Sequence, residues 1–186
     1  MEDQPNWMVI RSTMKNANTA IPMHESSDML IPAHLWQTYR TASPPARAAT
    51  CMASWKACNP QLTCHYFDDE ACSLFIRRWF DDAFAQMYEA LPIGVMKADV
   101  WRVAVVYVHG GIYADIDTEC RAPISRWIKA DQRLIAVVEN ASGALGNFFF
   151  AAVPRHPALL QVLQTFMTLF RAEDYLSQNS PTPVQD

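Results

Sequence analysis

The chain has 186 residues, of which 51% are hydrophobic and 18% charged, with a formal net charge of −4. That length suits one domain, and that composition suits a packed globule rather than a disordered chain. The acidic balance excludes the electrostatic footprint of a nucleic-acid binder, and no run reaches the ~18 apolar residues that a membrane span needs.

Residues 1 to about 30 are mixed and polar, without a convincing period, and read as an N-terminal extension. The opening MEDQPNWMVIR has neither a basic leader nor a long apolar run. It predicts no signal peptide and no membrane anchor, hence a cytoplasmic chain. Residues 31–39, IPAHLWQTY, read as a first strand and its exit, with Pro32 tolerated only near the start. A two-proline loop follows, then a helix over 46–58 that Asn59-Pro60 stops. LTCHYF, 62–67, reads as a second strand, in which His65 is a core or edge residue. Asp68 and Asp69 then supply an N-cap and a first-turn acid for a helix running to Phe80. A short helix over 81–91 is broken by Pro92. Beyond the central stretch described next, strands are expected at 134–138 and 147–153, and an amphipathic helix at 159–171. The last residues, 176–186, read as a tail. Alternating strands and helices predict an α/β class with a mainly parallel sheet. The five cysteines are an odd number with no CxxC, which reads as free thiols rather than zinc ligands or disulfides.

The informative stretch is 96–120, MKADVWRVAVVYVHGGIYADIDTEC. From Met96 to Val108 only Lys97, Asp99 and Arg102 are charged. The apolar residues run all the way round, as in a helix enclosed by other elements. Gly110-Gly111 is a helix stop, and residues 112–114 suit a short buried strand. In an extended chain residues i and i+2 point the same way. Asp115 and Asp117 are thus expected to face one point, with Ile116 in the core. Two such carboxylates repel unless something positive lies between them. Oxygen-only ligands suit a hard cation such as Mn²⁺ or Mg²⁺, which commonly brings phosphates with it. Asp99 and Arg102, three apart on one helix face, are either an internal ion pair or a charged pair satisfied by a polar ligand.

ADVWR followed by YVHGGIYADIDTEC resembles the signature of the family 32 glycosyltransferases, the DXD sugar-binding group. That group includes fungal initiating α-1,6-mannosyltransferases and inositolphosphoceramide mannosyltransferases. Ile31, Pro32, Trp36, Gln37, Thr38 and Tyr39 match the family's opening motif, and Ser54, Trp55, Asn59 and Pro60 its first helix and stop. Asn147 and Arg155-His156-Pro157 match a later strand and its exit. The resemblance covers about residues 31–171, within a domain taken as 31–175. It implies a GT-A nucleotide-diphosphosugar transferase fold and a metal-dependent, configuration-retaining transfer of a hexose. The implied donor is a nucleotide-diphosphate sugar, with GDP-mannose first, and the acceptor is a glycan or glycolipid. It implies that Asp117, helped by Asp115, holds Mn²⁺ or Mg²⁺. It gives Asp99 and Arg102 the sugar hydroxyls, Asp115 a share in ribose or sugar binding, Trp36 the base, and an acid at Asp68 or Asp69 part of the nucleotide. Family members continue with a Gly-Pro segment and a further C-terminal stretch, where this chain has Ser180-Pro181 and its tail. The C-terminal part is therefore expected to be short. A longer fungal-type protein containing this sequence would be expected in the Golgi.

Two rival readings remain. The first is a nucleotide-sugar-binding domain without turnover, suggested by the short C-terminal part. The second is a haloacid-dehalogenase-type phosphatase, in which DIDTE would supply a nucleophile at Asp115 and a general acid at Asp117. That motif normally follows a chain's first strand, and here a buried helix and Gly-Gly precede it.

Overall fold

The computed structural model describes residues 29–139 and 143–171. The expected extension, apart from Met29 and Leu30, and the expected tail lie outside the described residues. Leu30 already belongs to the folded body, since its N–H donates to the Ala130 carbonyl at 3.0 Å.

Five strands form one sheet: β1 (His34–Thr38), β2 (Thr63–Phe67), β3 (Gly111–Ala114), β4 (Leu134–Val138) and β5 (Leu145–Ala152), in the order β2-β1-β3-β5-β4. β1 pairs in parallel with β2 and β3, while β5 is antiparallel to both β3 and β4. Only β5 therefore runs against the other four, and the mainly parallel sheet expected from the sequence is present. β1 starts later than expected, because the chain turns at Pro32, whose carbonyl accepts from the His34 N–H at 2.8 Å. β5 starts earlier, because its pairing with β4 continues to Val138 opposite Leu145.

The helices are α1 (Ala46–Cys58), α2 (Asp69–Trp79), α3 (Asp82–Ala90), α4 (Gly94–His109) and α5 (Pro157–Arg171). Strand alternation divides their packing into two cores. Trp36, Tyr113, Phe150 and Ala152 face a layer built from α2, α3, α4 and α5. Leu35, Ile112, Ala114, Phe149 and Ala151 face Trp55 of α1 and Ile124 and Ile128 beyond β3. α2 shows how sequence produces this layer: Cys72, Phe75, Ile76 and Trp79 recur at helical spacing and are all buried. Each large apolar side chain so buried contributes about 1.5–3 kcal/mol. Asp68 caps α2 by accepting from the Ala71 N–H, and Asp81 caps α3 by accepting from the Phe84 N–H.

α4 is the enclosed helix that its composition predicts. All ten residues from Val100 to His109 are buried. It stops at Gly110, whose φ is 69°. The glycines there are required by space as well as by conformation. A Cβ on Gly110 would lie 2.6 Å from Pro154 Cδ, and one on Gly111 would lie 2.7 Å from the His34 carbonyl oxygen. The chain goes from β1 outward to β2 and then returns to β3 on the other side of β1. The crevice beyond the C-terminal ends of β1 and β3 is thus the switch point of the sheet, where α/β folds bind ligands.

Candidate active site

A cavity of about 670 Å³ opens at that switch point. Thr38, Tyr39 and Arg40 reach it from the end of β1, and Tyr113 to Asp117 from the end of β3, Ala114 excepted. The opening turns of three helices complete its wall: Arg47 and Ala48 of α1, Asp69 of α2, and Gly94, Val95 and Ala98 of α4.

Asp115 and Asp117 both line this cavity, but not as the sequence suggests. The strand ends at Ala114, and residues 115–118 form a β-turn closed by Thr118 N–H to the Asp115 carbonyl at 3.0 Å. Ile116 is buried as expected, at 8% exposure. The two carboxylates have different surroundings. Asp115 is half-buried, and its Oδ1 accepts from the Tyr113 hydroxyl at 2.6 Å and lies 3.5 Å from Arg102 Nη1. Asp117 is exposed. The positive group beside the first carboxylate is therefore an arginine of the chain itself, and the second is left facing solvent.

Arg102 organises this corner, and its side chain is only 7% exposed. Its Nη2 pairs with Asp99 at 3.1 Å, its Nη1 donates to the Asn147 carbonyl at 2.7 Å, and its Nε donates to the Ala98 carbonyl at 3.3 Å. The guanidinium carbon sits 4.8 Å from the Tyr113 ring centre, a cation–π distance. The Asn147 amide donates to Asp99 Oδ1 at 3.1 Å. Of the two ways to satisfy Asp99 and Arg102, the structure displays the ion pair. Arg102 also lines the cavity, whereas Asp99 lines a separate crevice among α3, α4 and α5. Burial pushes the Asp99 carboxyl above its usual range, with Asp115 adding to the rise and Arg102 opposing it.

Trp36 requires a correction. It is 1% exposed and does not line the cavity. Its ring stacks on His65 at 4.0 Å and on His109 at 5.4 Å, and its Nε1 donates to the Gly110 carbonyl at 2.8 Å. It packs α4 and its glycine stop against β1 and leaves no face for a base. Two residues within the strand are enough to separate it from the exit, where Tyr39 is the aromatic on the cavity wall. His65 is a packed histidine as expected, hydrogen-bonded to His34 at 3.0 Å. Burial, assisted by the neighbouring His34, lowers the His65 pKa to about 4; burial, His34, His65 and Arg78 likewise lower His109 to about 4. Asp68 is spent on the α2 cap, and Asp69 is the member of that pair on the cavity wall.

The loop after the aspartates is braced by α1. Ser54 Oγ accepts from the Cys120 N–H at 2.8 Å, Trp55 Nε1 donates to the Thr118 carbonyl at 2.8 Å, and Asn59 Oδ1 accepts from the Ile124 N–H at 2.7 Å. These are the helix-and-stop residues singled out in the sequence, and their work is to hold the turn carrying Asp115 and Asp117. Arg40, Arg47 and Tyr113 were not legible as cavity residues. A cation in a first helical turn, such as Arg47, opposes the helix dipole, and that was the one available signal. All five cysteines are free thiols.

The donor chemistry fits a hard divalent cation. Among the described residues no group of three or more His, Cys, Asp or Glu gathers to hold a metal. Asp115 and Asp117 offer carboxylate oxygens at a solvent-open cavity, which matches cations that take one or two protein carboxylates and complete their shell with phosphate and water.

Residues 45–134 match the family model described as a glycosyltransferase sugar-binding region containing the DXD motif. The chain is 31% identical over 166 residues to an initiation-specific alpha-1,6-mannosyltransferase of Schizosaccharomyces pombe, covering 77% of this chain and 40% of that protein. It is 30% identical over 145 residues to the mannosyl phosphorylinositol ceramide synthase CSH1 of Saccharomyces cerevisiae, covering 76% of this chain and 37% of that one. The chain thus spans about two fifths of the length of these curated relatives. Among solved structures it resembles the PaToxG glycosyltransferase, with a TM-score of 0.60, 15% identity, and coverage of 77% of this chain and 63% of the other. That likeness concerns the fold alone and is of GT-A type. The DXD motif at the switch point, the α1 brace behind it and these matches together identify residues 45–134 as a glycosyltransferase sugar-binding region containing the DXD motif.

Proposed function

We propose that the chain is the nucleotide-sugar-binding core of a metal-dependent, retaining glycosyltransferase that moves a hexose, mannose first, from a nucleotide-diphosphate sugar to a glycan or glycolipid acceptor. The observation that carries this reading is the placement of Asp115 and Asp117 together on the wall of a switch-point cavity. The names of the relatives favour mannose and thereby GDP-mannose.

Asp117, with Asp115, would hold Mn²⁺ or Mg²⁺, which when bound neutralises the departing diphosphate. Tyr113 and Arg102 fix the Asp115 carboxylate, so that one of the two acids is positioned before any ligand arrives. Two helices that open on the cavity, α1 and α4, begin at Pro45 and Ile93 with no side-chain cap. Their first N–H groups favour negative charge nearby. Arg102 presents the cavity with a rigid, internally anchored edge, which limits the orientations open to a bound sugar.

Titration calorimetry with Mn²⁺ and GDP on the parent and on Asp117→Asn tests the reading. The variant keeps the shape and removes one charge, so it should fold normally and lose the Mn²⁺-dependent part of binding. Equal binding by both proteins would overturn the role of Asp117. A nucleotide-sugar-binding domain without turnover is the second reading. Binding of GDP-mannose with no release of GDP in the presence of acceptor would select it.

A further inference from the structure

Among the described residues, three arginines and three aspartates line the cavity: Arg40, Arg47 and Arg102, with Asp69, Asp115 and Asp117. Arg102 is committed to Asp99, Asp115 and two carbonyls. Arg40 and Arg47 are not. Both are exposed, and among the described residues neither has an ion pair. The Arg40 guanidinium lies over the Tyr39 ring at 5.8 Å, which holds it near the β1 exit without neutralising it. Arg47 is the second residue of α1, where its charge opposes the positive end of the helix. Trp36 lies opposite Tyr113 in the parallel β1–β3 pair. That register carries the chain from Thr38 to Arg40 out of the sheet beside the segment from Asp115 to Asp117.

We propose that Arg40 and Arg47 form a phosphate-holding pair on the wall of this cavity, distinct from the carboxylates that would take the cation. The proposal rests on the functional reading given above. Two planar cations at one mouth match the oxygens of a phosphate mono- or diester, each by paired N–H donors. The phosphate is either the diphosphate of the donor or the phosphodiester of a phosphate-bearing glycolipid acceptor. These two sources share one chemistry and differ in which substrate loses affinity when the pair is removed.

The test is the double variant Arg40→Gln/Arg47→Gln beside the parent, with thermal melting as the folding control. Both side chains are exposed, so the melting temperature should be unchanged. Calorimetry is run with GDP and UDP plus Mn²⁺, and separately with myo-inositol 1-phosphate. If the phosphate is the donor's, nucleotide diphosphate affinity falls about tenfold or more, and less so at high salt. If it is the acceptor's, nucleotide diphosphate affinity is kept and inositol phosphate binding is lost. If the variant binds every probe as the parent does, the pair is a solvated surface and the proposal is overturned while the transferase reading stands. If the parent binds neither nucleotide with Mn²⁺ but loses inositol phosphate binding in the variant, the pair is upheld and the transferase reading falls. If the parent binds no probe at all, both are overturned.

Discussion

Replacing Arg102 by alanine tests the corner on which Asp115 depends. The guanidinium joins two carboxylates, two backbone carbonyls and one aromatic face, and its own side chain is 7% exposed. Breaking a fully buried ion pair by removing one partner costs about 3–5 kcal/mol. Here the orphaned carboxylates of Asp99 and Asp115 are 29% and 33% exposed, so water recovers part of that cost. About 2 kcal/mol is left from the charges, and the lost contact with Tyr113 adds roughly 0.5–1 kcal/mol. Arg102→Ala is therefore expected to destabilise the fold by about 3 kcal/mol, or a melting shift of about 6–12 °C for a chain of this size. Equilibrium urea unfolding followed by circular dichroism measures it. Adding Asp99→Asn to Arg102→Ala removes one orphan charge, keeps an acceptor for the Asn147 amide, and should return about 1 kcal/mol as a coupling between the two sites. A loss below 1 kcal/mol in the single variant, or no recovery in the double, would refute the account of Arg102 as the centre of this network.

Two further outcomes follow from the packing around β1. His65 and His109 are held neutral in the fold, with pKa values of about 4 against an ordinary 6.5. Their stabilising effect is complete above pH 6.5 and is lost as the pH falls from 6.5 towards 4, because the unfolded chain takes up protons first. The slope is at most about 1.4 kcal/mol per pH unit for each histidine. His109→Phe should flatten the decline in the urea midpoint across that window, and an unchanged slope would remove His109 from the account. Gly111→Ala should destabilise by about 3 kcal/mol or more. At φ 101° the new methyl is strained, and its position lies 2.7 Å from the His34 carbonyl; a normal melting temperature would show that β1 and β3 can part.

The sequence by itself determined the class and most element positions, because those are written in local periodicity and local stops. Helix α1 lies over the residues expected, the enclosed character of α4 follows from its unbroken apolar surface, and Gly110-Gly111 ends it. The DXD pair was legible for the same reason, as residues adjacent along the chain. The tertiary structure decided which side chains share a space. Trp36 and Tyr39 are three residues apart and equally aromatic, yet one is sealed between two histidines and the other lines the cavity. Only the point at which β1 leaves the sheet separates them. Arg40 and Arg47 come to one cavity with Asp117, at least 70 residues further along, because the chain returns to β3 beside β1. The roles of Asp99 and Arg102 likewise depended on a distant element, since Asn147 of β5 binds both and sets Asp99 back from the cavity. A helical spacing of three places two charges on one face, but what that face meets is fixed by packing between layers.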